Sequence, residues 1–142
     1  FCSDRNIASG YSWINRTFYY ASYDRSNGPA SLQCNDEDIL SKDNKRLTNP
    51  IGLVTSDEAV LTGITYNTTN AASYLYTGES YWTMSPCYFT GNAYVLRVLF
   101  DGLNYNFVSN ANGVRPVINL KSAIPLSGSG TTSDPFKVVG AS

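Results

Sequence analysis

The sequence predicts an α+β fold, in which small antiparallel sheets combine with one or two short helices and long loops. Only 15% of the residues are charged, and the polar character comes mainly from Ser, Thr and Asn beside 11 Tyr. This composition suits strands and hydrogen-bonded loops better than long solvated helices. The length of 142 residues is that of one ordinary domain, so we expect a single domain over residues 1–142.

The clearest helix signal is a capping-box pattern at Thr55 and Glu58. A Thr followed three residues later by Glu satisfies two backbone donors at a helix start. Gly63 is typical of the position just past a helix end. The pattern therefore predicts a short helix over residues 55–63, followed by a polar loop over residues 64–80.

Alternating and β-branched segments predict the strands, which are Pro50–Val54, Tyr81–Pro86, Tyr94–Phe100, Leu103–Val108, Val114–Leu120 and Phe136–Val139. Pro86 is expected to end its strand, which places Tyr88 and Phe89 in the loop that follows. Asp101-Gly102 predicts a two-residue type I′ hairpin turn. Pro116 lacks an amide donor, so it must lie at a sheet edge or a bulge.

Residues 1–50 are expected to be irregular and rich in loops, with a β-prone aromatic stretch at 11–23. The acidic cluster at 35–38 is interpreted as the solvated start of a helix in preference to a calcium loop, because its spacing is not that of an EF-hand. The chain lacks an initiator Met and begins at Phe1, which we interpret as the start of a fragment or processed product.

Charge and composition exclude several classes of function. Lys and Arg number 10 and Asp and Glu 11, so the net charge of -1 does not favour a nucleic-acid partner or a polybasic membrane surface. No stretch approaches the roughly 18 apolar residues that span a bilayer. The chain contains no His, which removes His-based triads and His metal sites. We therefore expect no metal, no cofactor and no membrane contact by this part of the protein.

The three cysteines, Cys2, Cys34 and Cys87, cannot all pair within one chain. A Cys2–Cys34 disulfide would close a loop-rich segment that has few core residues, and would contribute roughly 3 kcal/mol. The alternative is three buried or idle thiols in a reducing compartment. We predict the disulfide, with Cys87 left as an idle or buried thiol.

Three segments in a fixed order carry a resemblance to a known fold. The capped helix at 55–63 precedes Tyr81–Pro86 (YWTMSP), and Gly113–Leu120 (GVRPVINL) follows. This order resembles the C-type-lectin-like domains of formylglycine-generating-enzyme relatives and of the variable proteins of diversity-generating retroelements. The ending Gly128–Phe136 (GSGTTSDPF) is similar to the tail of a group of bacterial surface and pilin-like proteins.

The resemblance implies a C-type-lectin-like fold with its recognisable core over residues 51–139, displayed extracellularly at a cell surface. It implies ligand binding and not catalysis, because neither Cys34 nor Cys87 can be placed in the active-site role that cysteines have in formylglycine-generating enzymes. In the variable proteins, adenine-directed mutagenesis of Asn codons diversifies a stretch such as 104–112, and the products are rich in Asn, Tyr and Ser.

The candidate binding residues lie between residues 88 and 112. Strand alternation predicts that Leu103, Tyr105 and Phe107 face the core, and that Asn104 and Asn106 share the exposed face. We expect Asn104 and Asn106 to lie near one another and largely exposed together with Tyr88, Tyr94, Ser109, Asn110 and Asn112. Tyr gives large contact area and Asn gives adaptable hydrogen bonds, although an ordinary polar hairpin would look the same. The predicted ligand-binding residues are Tyr88, Phe89, Asn92, Tyr94, Asn104, Tyr105, Asn106, Phe107, Ser109, Asn110 and Asn112.

Two further residues are given structural interpretations. We expect Arg115 to hydrogen-bond loop carbonyls in preference to a ligand, and Trp82 to lie in the core.

The function predicted from these observations is adhesion or recognition by a bacterial or phage surface protein, with a protein or glycan as ligand. The alternative is a structural globular head of a pilus-like or cell-wall-anchored subunit without a dedicated ligand site. An enzyme is the least favoured class, and the oligomeric state is left open.

Overall fold

A computed structural model of the protein describes residues 2, 18–19, 30–34, 39, 48, 51–131 and 133–140, with only the backbone at 18–19. The acidic cluster at 35–38 and most of the aromatic stretch at 11–23 lie outside the described residues. The elements are β1 (Phe18–Tyr19), β2 (Ile51–Leu53), α1 (Ser56–Leu61), β3 (Tyr81–Phe89), β4 (Ala93–Leu99), β5 (Gly102–Phe107), β6 (Pro116–Ile118), β7 (Leu126–Ser127) and β8 (Lys137–Val138).

The strands form three antiparallel sheets. The largest has four strands in the order β1-β3-β4-β5, and β2 pairs with β6 and β7 with β8 in two-stranded sheets. Together with the short helix and the long loops of the described residues, these sheets give the coarse α+β architecture that the sequence predicts. Pro116 begins β6 opposite Leu53, a position where its missing amide costs no central ladder bond.

Strand β3 does not end at Pro86, so that prediction is wrong. The pairing of β3 with β4 shifts register on both sides of Pro86 and then continues to Phe89. An irregularity of this kind accommodates a residue without an amide donor inside a strand. Tyr88 and Phe89 therefore lie in β3, where the sequence had suggested a loop, whereas Tyr94 lies in β4, close to the start of the strand predicted from Tyr94.

The hairpin between β4 and β5 turns through Phe100-Asp101, because β5 begins at Gly102 opposite Leu99. The type I′ turn predicted at Asp101-Gly102 is therefore wrong. A type I′ turn needs positive φ at both central residues, and among the described non-glycine residues only Asn67 has one.

A tight turn over residues 65–68 closes onto the start of β5. The Leu103 amide donates to the Thr65 carbonyl at 2.8 Å, and the Asn67 amide donates to the Leu103 carbonyl at 3.0 Å. Gly102 has a φ of 131°, and a Cβ there would lie 2.3 Å from a backbone nitrogen of this turn. Glycine is required at 102 because of this close approach, and not because of the hairpin turn.

The capping box at the start of α1 is confirmed. The Thr55 side chain accepts from the Glu58 amide at 3.2 Å, and the Glu58 carboxylate accepts from the Thr55 amide at 2.7 Å. The helix is six residues long and packs on β3 and β4. The core lies between α1, the 64–76 segment and the sheet, and is built from Val54, Ala59, Ile64, Leu75, Tyr81, Val98 and Leu103.

Cys2 and Cys34 form the expected disulfide, with their Cα atoms 5.8 Å apart. Cys87 is free and fully buried in β3. Burial raises the pKa of the Cys87 thiol far above its usual value, so the thiol stays protonated. A protonated, buried thiol is not a nucleophile.

Thiol counting tests this arrangement. The native protein should show no rapidly reacting thiol, because Cys87 is buried. Unfolding without reductant should release one thiol per chain, measured with a colorimetric thiol reagent, and unfolding with reductant should release three. Three thiols without reductant would contradict the disulfide.

The helix cap gives a second test. Thr55→Ala should lower the free energy of unfolding by about 1 kcal/mol, because an orphan amide loses its acceptor. Thr69→Ala is the matched control, since Thr69 is exposed in the loop that follows the helix. The measurement is urea unfolding followed by circular dichroism, and equal effects of the two changes would contradict a stabilising cap.

Candidate binding surface

An apolar stripe runs along one face of β4 and β5 and leaves the core at its far end. Because antiparallel partners share a face, Val98 lies beside Leu103, Leu96 beside Tyr105, and Tyr94 beside Phe107. Leu103 and Leu96 are completely buried, whereas 37% of Phe107 is exposed. The stripe thus passes from the core into the solvent.

The exposed end of this stripe is a set of rings in mutual contact, which we call the aromatic cluster. Tyr88 stacks on Tyr94 with ring centroids 4.2 Å apart, and Phe107 lies 4.4 Å from Tyr94. Tyr105 meets Tyr88 edge-on at 5.1 Å, and Tyr66 stacks on Tyr105 at 6.4 Å. The aromatic cluster therefore draws residues from β3, β4, β5 and the 65–68 turn.

The cluster contains no Asp, Glu, Lys or Arg side chain. Burial is the larger cause and hydrogen bonding to Tyr105 the second cause of a raised pKa of Tyr88. The Tyr88 hydroxyl therefore keeps its proton at any physiological pH. The surface offers ring faces and neutral hydroxyls, which suit contacts with a neutral or polar partner better than recognition of a strong charge.

The predicted binding residues separate into two faces of the sheet. Tyr88, Tyr94, Tyr105 and Phe107 share the aromatic face, but Asn104 and Asn106 lie on the opposite face. The expectation that Tyr88 and Tyr94 lie beside the two asparagines is therefore wrong. The reason is that Tyr88 and Tyr94 are strand residues, and the strand register aligns them with Tyr105 and Phe107.

The expectation that Tyr105 and Phe107 face the core holds only for the direction of their side chains. They project from the same face as the fully buried Leu103. The core ends before it reaches them, so Tyr105 is half-buried and Phe107 is exposed.

The remaining predicted residues lie around the ends of the strands. Phe89 alternates to the face opposite Tyr88 and is 37% exposed. Asn92 is exposed in the turn between β3 and β4, and Ser109 and Asn110 are exposed after β5. Asn112 is half-buried, and its side-chain oxygen accepts from Arg97 at 2.9 Å. Whether these residues contact a ligand remains a prediction.

Sequence reasoning missed Tyr66, which joins the cluster through a long-range contact. Tyr66 forms an isolated parallel bridge with Leu103, which brings its ring beside Tyr105. The local signal was only a polar loop. Tyr66 reaches Tyr105 because residue 102 is glycine, which allows the 65–68 turn to approach β5.

Arg115 has the structural role predicted for it. Its guanidinium donates to the carbonyls of Leu75 and Tyr74, both at 3.0 Å, and lies 5.6 Å from the Tyr81 ring centroid. The Tyr81 hydroxyl donates to the same Leu75 carbonyl at 2.6 Å. Trp82, expected in the core, is half-buried and projects away from the buried Tyr81.

Within the described part of the chain, no group of three metal-ligating side chains comes together, and no helix there is long and apolar enough to cross a membrane. No protein-family model matches the chain, and no curated protein or solved structure matches it either. The geometry of the aromatic cluster is therefore the feature from which a function is inferred.

The titration of Tyr88 tests that geometry. Tyr105→Phe should lower the pKa of Tyr88 towards that of an ordinary tyrosine, because it removes the hydroxyl that hydrogen-bonds to Tyr88. Part of the elevation should remain, since burial is the larger cause. Tyr74→Phe, at a residue that is 70% exposed, is the control. The pKa can be followed by NMR of ring-labelled tyrosine, and an unchanged Tyr88 pKa in Tyr105→Phe would contradict the contact.

Proposed function

We propose that the protein is an extracellular recognition domain of a bacterial or phage surface protein, with a C-type-lectin-like fold, that binds a protein or glycan through its aromatic cluster. The observation that carries the proposal is the apolar stripe that leaves the core and ends in five rings in mutual contact. Phe107 is exposed and the other four rings are half-buried, and contiguous rings that reach the solvent in this way are typical of interaction sites.

The construction of the cluster suits binding. Each ring is supported by at least one other ring, so its orientation is fixed before a ligand arrives. Fixed rings lose little conformational entropy on binding, and the tyrosine hydroxyls add hydrogen bonds at the rim. Because β3, β4 and β5 pair directly, the four rings on the strands sit on a continuous sheet.

Two other features support a location outside the cell. The Cys2–Cys34 disulfide is typical of an oxidising compartment. The order of the capped helix, the β3 segment and the Gly113–Leu120 segment resembles C-type-lectin-like surface proteins. The proposal includes no catalysis, because the free thiol is buried and protonated and the cluster carries no charged group.

Binding to defined ligand panels tests the proposal. The labelled protein should bind at least one member of a printed glycan array or a panel of bacterial cell-surface proteins. Tyr105→Ala and Phe107→Ala should each weaken that binding about tenfold or more, as expected for aromatic anchors. Phe100→Ala is the matched control, because Phe100 is 61% exposed in the β4–β5 turn and outside the cluster.

A preserved melting temperature in each variant would separate a binding defect from a folding defect. Equal losses for Phe100→Ala and Phe107→Ala would contradict the proposed surface. Absence of binding across both panels would favour the structural-head alternative.

Sibling gene copies offer an independent test of diversification. If residues 88–112 belong to a diversified surface, copies should differ mainly at adenine positions of those codons. Differences spread evenly along the gene would contradict that part of the proposal.

A further inference from the structure

Among the strands that the structure describes, β5 is the edge of the four-stranded sheet, and no described strand lies on the other side of its backbone. In an antiparallel pair, successive residues point their amides alternately towards the partner and away from it. Leu103 bonds to the 65–68 turn with both its amide and its carbonyl, whereas the Val108 amide donates to Ala93 in β4 at 3.1 Å. The backbone amides of the odd-numbered residues therefore point away from β4. Beyond Leu103, these outward amides of β5 are those of Tyr105 and Phe107.

Both of these outward amides are satisfied by the asparagine that precedes them. The Tyr105 amide donates to the Asn104 side-chain oxygen at 2.8 Å, and the Phe107 amide donates to the Asn106 side-chain oxygen at 3.0 Å. A side chain thus occupies each place where the carbonyl of an added strand would bond.

Each asparagine is also held from its other side. The Asn104 side-chain nitrogen donates to the Asn67 side-chain oxygen at 3.0 Å. The Asn106 oxygen accepts a second hydrogen bond, from the Asn110 side-chain nitrogen at 2.7 Å. The Phe107 carbonyl accepts from the Asn110 amide at 3.0 Å, which closes the far end of the strand.

We propose that Asn104 and Asn106 are edge caps that close β5 to strand addition, and that their removal turns this edge into a surface that pairs with β5 of a second copy of the chain. An edge strand with available amides is a template for pairing, and proteins block such edges by local devices. A second copy is the partner because two β5 strands can pair antiparallel about a two-fold axis, with Tyr105 and Phe107 of each copy meeting those of the other.

This role differs from ligand contact and does not depend on the proposed function. The aromatic cluster lies on one face of β5, whereas the caps act in the plane of the sheet, along its edge. A protein with a fully functional aromatic cluster could lose the caps, and a protein that binds nothing could keep them.

Amide hydrogen exchange, read by NMR, is the primary test. In the parent protein the Tyr105 and Phe107 amides should be protected although they point away from β4. Asn104→Ala should speed exchange at Tyr105 by about tenfold and leave Phe107 nearly unchanged, and Asn106→Ala should do the reverse, as expected for the loss of one hydrogen bond. Asn104→Asp keeps the acceptor oxygen but loses the donor to Asn67, so it should retain part of the protection at Tyr105.

Association is the second measurement. Asn104→Ala/Asn106→Ala should show a larger mass than the parent by light scattering at equal concentration, rising with concentration. Asn119→Ala, at an exposed position away from the edge, should match the parent. Circular dichroism establishes whether the double variant folds, and if it does not, the two single variants are measured instead.

Unprotected Tyr105 and Phe107 amides in the parent would overturn the proposal, as would unchanged exchange at Tyr105 in Asn104→Ala. Lost protection without any increase in mass would overturn pairing with a second copy. These readouts involve no ligand, so their failure is separate from failure of the binding experiment.

Discussion

The close approach of the 65–68 turn to Gly102 determines where the rest of the hairpin lies. A side chain at 102 would place a carbon 2.3 Å from the backbone of the turn, so the two segments meet only because 102 is glycine. Two backbone hydrogen bonds then hold Leu103 to the turn. Because the amide and carbonyl of Leu103 bond to the turn, strand alternation then determines which other amides of β5 point away from β4 and which side chains face the core.

Two features that matter for function depend on this constraint. The turn carries Tyr66 to the ring of Tyr105, which extends the aromatic cluster beyond the sheet. It also carries Asn67 to Asn104, which holds the first edge cap in place. Asn67 is the described non-glycine residue with a positive φ, at 52°, a conformation that Asn tolerates better than most residues. A loop that reads as featureless polar sequence thus contributes to both the exposed face and the edge of the sheet.

A second anchor ties the same loop to the centre of the protein. The Leu75 carbonyl accepts from the Tyr81 hydroxyl and from Arg115, so one backbone oxygen joins β3, the loop and the segment before β6. Burial raises the pKa of Tyr81, although the Arg115 charge opposes this effect. The hydroxyl therefore remains a donor well into the alkaline range. Because the unfolded tyrosine ionises at a lower pH, near its ordinary pKa of about 10, the stability that this hydroxyl contributes to the folded state decreases as the pH rises above that value.

Local chemistry allowed part of the fold and of the site to be predicted from sequence. The capping box at Thr55, the disulfide, the role of Arg115 and the approximate strand positions each depend on a short pattern or on residue chemistry. The continuation of β3 through Pro86 could not be predicted, because the irregular pairing that accommodates it involves β4. The same holds for Tyr66 and Gly102, whose partners are about 40 residues away in the sequence. The sequence did not predict the contact of Tyr88 and Tyr94 with Tyr105 for a related reason, since one misplaced strand end changes which residues share a face.

The placement of the asparagines changes how variation in this region should be understood. Sequence pattern alone treats every Asn between 104 and 112 as an equivalent position on a contact surface. In the structure, Asn104 and Asn106 each satisfy a backbone amide of the next residue, whereas Ser109 and Asn110 lie beyond the strand and are exposed. A substitution at 104 or 106 leaves an outward amide without its acceptor, and only Asp, Ser or Thr carries a short oxygen in its place. The ring side chains on the aromatic face do not accept hydrogen bonds from these outward amides, so their substitution should affect the edge of β5 less. If this region varies between copies while the edge of β5 remains protected from strand addition, we expect the variation on the aromatic face, with Asn104 and Asn106 unchanged.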